Sequence, residues 1–361
     1  MTKNANSVSV GWLLAVAIAG LPGCSPEVII GSLDTTGAGS PGSGSPGSGT
    51  RACGSTATLT EGIPESRAIA YANDAVYVSS GLYGPTSDIL RVTVSGGAPT
   101  LFAHAVPLVA PTGLAADAAN VYTASDSGGL RKLPVNGATP TVLYEPNGAD
   151  VPRSIALGGG YVYWGSGDGS IKRLPVDGGV PAVVSPAVTG TDVFAMAVDD
   201  ANVYWIEANP STMVLRKAPL AGGASTLLFT GTSALMRIAV SGAYVYVTQQ
   251  GQSLTPDGNG KPIGEGAVIK LRIDESEPPV EIASNQPFAI GIAADASGVY
   301  WGGGTEFENW GAPVNRLPAG GNQAVALASL NVTYEMTQCG AGICWMDVAT
   351  GNLMRYPECA P

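Results

Sequence analysis

The chain has 361 residues, enough to bury a large core, yet 50 of them are Gly, 27 are Pro and only 12% are charged. That composition argues for many short strands punctuated by turns, not for long helices. A formal charge of −11 with no run of Lys or Arg excludes nucleic acid and anionic membrane surfaces as electrostatic partners.

Residues 1–23 read as an export leader: Lys3, then the apolar VSVGWLLAVAIAG, too short and too weakly flanked for an ordinary spanning helix. The leader ends in LPGC, Leu21 to Cys24, which resembles the bacterial lipobox. That resemblance implies cleavage before Cys24, lipid on its thiol and, with Ser25 next, sorting to the outer membrane of a bacterial envelope. Several acyl chains make such anchoring stable, so membrane contact is expected through the lipid alone. Residues 24–51 form the tether, and GSLDTTGAGSPGSGSPGSGTR within it has too little apolar surface to order itself.

From residue 52 to 361 the chain repeats. An apolar residue followed by tyrosine recurs at Tyr77, Tyr122, Tyr163, Tyr204, Tyr246 and Tyr300, and Cys344 holds the seventh position in GICWM. Eight residues before each mark stands a large apolar residue (Ile69, Leu114, Ile155, Met196, Ile238, Ile292, Met336), and downstream one basic residue (Arg91, Lys132, Arg173, Lys217, Lys270, Arg316, Arg355). Each unit parses into four short strands; in the fourth copy these are AVDD, NVYWI, LRKAP and STLLF, with turns at D-A-N and A-G-G. Four strands in a unit of about 40–45 residues make one propeller blade, so seven units predict an all-β, seven-bladed β-propeller. The small residues of each first strand suit an inner edge crowded around the axis. The Tyr and Trp positions are expected to pack between blades, and the basic residues to meet a carbonyl or acid at a blade surface.

AVDDANVYWIE followed by LRKAPLAGG resembles the YWTD propeller repeats of lipoprotein-receptor ectodomains and their bacterial relatives, over roughly residues 56–361. The resemblance implies the fold. It departs from the family in lacking an acid after Tyr-Trp (Gly165, Ile206 and Gly302 stand there) and in having seven blades where the receptor propellers have six. A receptor function does not follow, because fold alone does not set function.

The seventh unit has three strands (VTYEMTQ, ICWMD, LMRYP) and no fourth, whereas STATLTEG, Ser55 to Gly62, matches the fourth strands of other units. The N-terminal strand is therefore expected to close the ring and leave no open edge. Cys53 and Cys359 fall at matching ends of the turn this arrangement lacks, and Cys339 and Cys344 flank the first hairpin of the same blade. Of the three pairings that four cysteines allow, Cys53–Cys359 with Cys339–Cys344 fits best; export makes oxidation available.

Chemistry-bearing motifs are sparse. The single histidine, His104, reads as a solvated loop residue between a fourth and a first strand, and no multi-histidine metal centre is expected. Asp257 and Asn259 begin like a calcium loop, but Pro262 and Gly264 break the later ligand spacing. No metal, cofactor or catalytic residue is assigned.

Loop lengths carry more. The mark-to-basic spacing is 24 in blade 5, 16 in blade 6 and 14 in blade 1, against 10–13 elsewhere. The excess lies in second-to-third-strand loops, which share a face with the fourth-to-first-strand connections and the channel mouth. The candidate ligand residues there are Tyr83 in blade 1; Asp257, Asn259, Lys261 and Glu265 in blade 5; and Glu306, Phe307, Glu308 and Trp310 in blade 6. Aromatic rings among acids suit a sugar or a cationic peptide. Arg237 and Glu335 are opposite charges in an otherwise small-residue inner ring, placed either to pair across the axis or to meet a ligand. The expectation is a monomeric, non-catalytic binding or scaffold module for an envelope protein, peptide or glycan; the alternative is a propeller lyase or lactonase with its site at the channel mouth.

Overall fold

A computed structural model of the chain describes residues 54–63, 66, 68–80, 87–106, 113–125, 128–209, 211–251, 254–256, 262–264, 266–286, 288–305 and 310–357. Seven four-stranded antiparallel sheets follow one another as blades of a β-propeller, and no helix occurs among the described residues. Blades 1 to 6 occupy residues 69–106, 113–144, 152–185, 192–230, 235–286 and 289–331, each with its strands in chain order.

Blade 7 takes its first three strands from residues 336–357 and its fourth from Ala57–Thr60, as the incomplete last repeat requires. Ala57 pairs with Arg355 and Thr58 with Met354. The strand is also tied sideways: Thr56 Oγ1 donates to the Leu327 carbonyl of blade 6 (2.8 Å), and Gly97 N of blade 1 donates to the Leu59 carbonyl (3.0 Å). Gly54 N donates to the Pro357 carbonyl (3.0 Å), so the two chain segments leading to Cys53 and Cys359 run side by side. Those two cysteines, and Cys24, lie outside the described residues. The second expected disulfide, Cys339–Cys344, is formed.

The repeated apolar–tyrosine pair explains how blades stack. Successive residues of a strand point to opposite faces, and a blade inside a propeller has a neighbour on each face. Val121 packs toward blade 1 with Tyr77 and Ile89, while Tyr122 packs toward blade 3 with Val162 and Trp164. Blade 4 does the same, with Val203 on Tyr163 of blade 3 and Tyr204 on Val245 of blade 5. Second strands are therefore buried on both sides, and Trp164, Trp205, Trp301 and Trp345 are among the largest fully buried side chains.

The D-A-N turns satisfy the same tyrosines from below. Asp117 accepts from the Ala119 and Asn120 amides (both 2.8 Å) and from Tyr122 Oη (2.9 Å); Asp199 repeats this with Ala201, Asn202 and Tyr204. Burial, reinforced by these carboxylates, pushes both phenols well above the usual tyrosine range.

Four of the seven third-strand basic residues meet a carbonyl of the next blade, while Arg316 bonds the Ser297 carbonyl of its own blade. Lys132 donates to the Val176 carbonyl (2.9 Å), Arg173 to Leu220 (2.8 Å), Lys217 to Ile273 (2.5 Å) and Arg355 to Val94 (3.1 Å). Each acceptor lies just past the third strand of the next blade, so the side chains stitch the ring together. His104 differs from expectation: it lies within the fourth strand of blade 1 (Thr100–Val106), not in a loop. It is solvent-exposed there because the fourth strand is the outer edge, and its Nδ1 lies 2.9 Å from Asp88 Oδ1.

Candidate binding face

Consecutive antiparallel strands put every second-to-third-strand loop and every fourth-to-first-strand connection on one face. Two hairpins rise from it on adjacent blades. In blade 5, Leu254–Pro256 pairs with Pro262–Gly264 as a separate two-stranded ribbon. In blade 6, the second and third strands (Gly298–Thr305 and Trp310–Pro318) run beyond the sheet, with Gly304 opposite Gly311 and Thr305 opposite Trp310. The described parts of the long spacings of blades 5 and 6 are thus paired strands.

The connection between these blades is unusual as well. Asn285 and Phe288 adopt φ of 53° and 43°, a region that bulky side chains rarely visit and that concentrates at functional corners. Between them Gln286 accepts from Trp301 Nε1 (2.8 Å), tying the connection to the blade 6 second strand.

At the channel mouth below the hairpins, Arg237 of blade 5 and Glu335 of blade 7 pair with each other (Nε–Oε1 2.5 Å), about three-quarters buried. Gly291 holds the corresponding position of blade 6, and a Cβ there would come within 3.1 Å of Met336 and Thr333. The Arg237 amide is held by Thr248 Oγ1 (3.1 Å), which donates to the Ile290 carbonyl (2.7 Å). Of the two roles open to this pair, mutual neutralisation is the one seen. A second ion pair, Arg153–Asp192 at 3.7 Å, joins blades 3 and 4 on the same face. Burial raises the Asp192 pKa, against the opposing pull of Arg153 and the Val193 amide.

Among the other candidates, Tyr83, Asp257, Asn259, Lys261, Glu265, Glu306, Phe307 and Glu308 lie outside the described residues, and Trp310 is placed by its backbone at the base of the blade 6 tip.

Sequence reasoning missed a polar cluster at the blade 2–blade 3 boundary on this face. Asp150 accepts from Tyr144 Oη, from Ser166 Oγ (2.9 Å) and from the Lys172 ammonium, which also lies 3.7 Å from Asp168. Its members come from a connection, a loop and three strands, so no local motif announces them. The signal was Lys172, a charge facing the buried Trp164 across the strand pair.

No protein-family model and no curated protein sequence matches the chain. Solved structures do. YCF48 bound to D1 peptide shares 12% identity over 84% of this chain and 94% of that one, with a TM-score of 0.62. The Kuenenia stuttgartiensis hydrazine synthase shares 14% over 87% and 99%, also at 0.62. BamB from Moraxella catarrhalis shares 15% over 81% and 85%, at 0.50. At such identities these likenesses establish the propeller fold and nothing finer. A peptide complex and an enzyme stand side by side among them, as expected of a fold that hosts unrelated functions.

Proposed function

We propose that the chain is a non-catalytic binding module of the bacterial envelope, lipid-anchored at Cys24 and held off the membrane by residues 24–51. Its partner is a protein or peptide segment, or a glycan, taken on the face that carries the blade 5 and blade 6 hairpins. The observation that supports this most is the pair of strand extensions on adjacent blades beside the channel mouth. A protein partner agrees with the peptide-bound state of one structural neighbour. In this reading Tyr83, Asp257, Asn259, Lys261, Glu265, Glu306, Phe307, Glu308 and Trp310 supply contacts, and Arg237–Glu335 forms the neutral floor. The repeat belongs with YWTD-like propellers, and a Cys53–Cys359 bond clasps the seam.

The test is capture from solubilised envelope by the oxidised residues 52–361, with partners identified by mass spectrometry. A saturable partner lost on trimming 252–265, or in the double variant Glu308→Ala with Trp310→Ala, supports the face. Retention of that partner by both variants sinks the assignment, and turnover of a small substrate at the channel mouth would put the enzyme reading in its place. Labelled palmitate incorporated by the full chain and lost in Cys24→Ser checks the anchor.

A further inference from the structure

The tryptophans that fill the spaces between blades are not present at every boundary. The residue after the tyrosine mark is Trp164, Trp205, Trp301 and Trp345 in blades 3, 4, 6 and 7, but Val78, Thr123 and Val247 in blades 1, 2 and 5. Trp164 stacks on Tyr144 of the preceding blade, with ring centroids 5.1 Å apart. At the blade 1–blade 2 boundary the same two places hold Ala103 and Thr123: Ala103 sits opposite Ile89 as Tyr144 sits opposite Leu130.

The indole and its stacking partner are absent there, and the ring present is Phe102, edge-on to Tyr77 at 4.9 Å. A groove of about 310 Å³ lies between the outer strand of blade 1 and the third strand and following turn of blade 2. A second groove, of about 360 Å³, lies at the blade 4–blade 5 boundary between Leu228 and the turn at residues 275–279. The first has an apolar bed of Phe102, Val106, Leu133 and Pro140, with Arg131 and His104 in its wall.

Arg131 is what sets this groove apart. The cation at its position has a carboxylate in the other blades that carry one: Lys172 has Asp150 and Asp168, and Arg216 lies 3.0 Å from Glu207. In the second groove Arg272 is held by Asp274 (3.1 Å) and Glu277 (3.6 Å). Among the described residues Arg131 makes one hydrogen bond, from Nε to the Gly128 carbonyl (3.1 Å), and has no carboxylate within reach. Beside it in register, Thr123 Oγ1 is fully buried and unpartnered.

We infer that the blade 1–blade 2 groove is a binding site for an aromatic carboxylate, whose ring lies on the Phe102, Val106 and Leu133 bed and whose anion completes Arg131. A guanidinium fork matches a carboxylate in shape and charge, and the groove's volume of about 310 Å³ lies at the lower end of the range of small-ligand sites. The site is separate from the hairpin face and stands whether or not that face binds a partner.

Calorimetric titration of the full oxidised chain with phenylacetate and indole-3-acetate tests this. Both acids bind saturably, and acetate or indole alone binds at least about tenfold more weakly, since each supplies half of the match. Arg131→Ala weakens the acids by at least about tenfold, Arg91→Ala leaves them unchanged, and Thr123→Trp, which restores the filler of four other blades, abolishes binding with the circular dichroism spectrum intact. A tetrapeptide ending in Trp distinguishes the source: tighter binding than indole-3-acetate makes the natural ligand a chain terminus, and weaker binding makes it a free acid. Equal affinity for acetate, or an intact Thr123→Trp protein that binds like the wild type, overturns the site.

Discussion

The two boundaries of blade 2 are built from the same backbone and filled differently. Toward blade 3, Tyr144 and Trp164 stack, and Lys172 sits between Asp150 and Asp168. Toward blade 1, Ala103, Thr123 and Arg131 occupy the same places, with Phe102 edge-on to Tyr77 instead of the stacked pair, a groove alongside and, among the described residues, no acid for the cation. Closure of the ring therefore does not need every boundary packed to the same density. A propeller holds each blade from two sides, so one boundary is free to carry an open, chemically unfinished site.

The largest effect should come from making the closed boundary resemble the open one. Trp164→Thr removes a fully buried indole from against Tyr144 and cannot refill the space without moving two blades. A loss of about 3–5 kcal/mol is expected, the range for large-to-small changes at buried aromatics. The shift in urea midpoint measures it. Added free indole should restore part of the loss by occupying the new cavity. A loss below about 1 kcal/mol would mean that the indole packs little and that the comparison between the boundaries is wrong.

The cations come next. Lys172 is 14% exposed and Asp150 is 21% exposed, so Lys172→Met strands a mostly buried carboxylate; about 2–3 kcal/mol should be lost, toward the lower end for a buried pair because water still reaches it. Arg131→Met should change stability by less than about 0.5 kcal/mol, having no acid to strand. Acid behaviour should separate the two further. Burial acts to raise the Asp168 pKa, but the Ser170 hydrogen bonds and the Lys172 charge outweigh it and the net shift is downward. A depressed carboxyl contributes stability at neutral pH that is lost as pH falls through its folded value. Lys172→Met should therefore shrink the acid-side slope of the melting temperature, and Arg131→Met should leave it alone. Equal destabilisation by the two variants would remove the distinction on which the groove's vacancy for an anion rests.

The seven blades and the closing strand were legible because both depend on patterns within one repeat: a two-faced Val-Tyr pair, four strand segments, and a last copy with three. The protrusions of blades 5 and 6 were legible as counted residues. What was not legible depends on which residue faces which across a boundary. Asp150 is 22 residues from Lys172 and in a connection. Thr123 in NVYTA looks like an ordinary strand residue until Ala103 of the previous blade is placed opposite the space where Trp164 has Tyr144. The departure was visible as a threonine in a tryptophan's place, but its consequence needed the neighbour. His104 was misplaced for a related reason: the outer strand of a blade has a solvated side, so a polar residue there imitates a loop.

The smallest effect is expected on the alkaline side and comes from Tyr144. Burial above all, then the hydrogen bond and charge of Asp150, push its phenol well above the usual tyrosine range. A raised pKa means that the fold holds the proton more tightly than the unfolded chain does. The associated stability is complete below about pH 10 and is lost as pH rises toward the folded value, at up to about 1.4 kcal/mol per pH unit. Tyr122 at the same boundary and Tyr204 between blades 4 and 5 carry the same burden. Tyr144→Phe should cost about 1 kcal/mol at neutral pH through the lost hydrogen bond to Asp150. It should then flatten the decline in melting temperature between about pH 9 and about pH 11.5 by one proton's share, the other two phenols keeping theirs. Ala103→Phe at the open boundary offers the matched control, adding a ring with no proton and leaving the alkaline slope unchanged. If Tyr144→Phe has the wild-type slope, the phenol ionises freely in the folded state and the boundary is wetter than its packing implies.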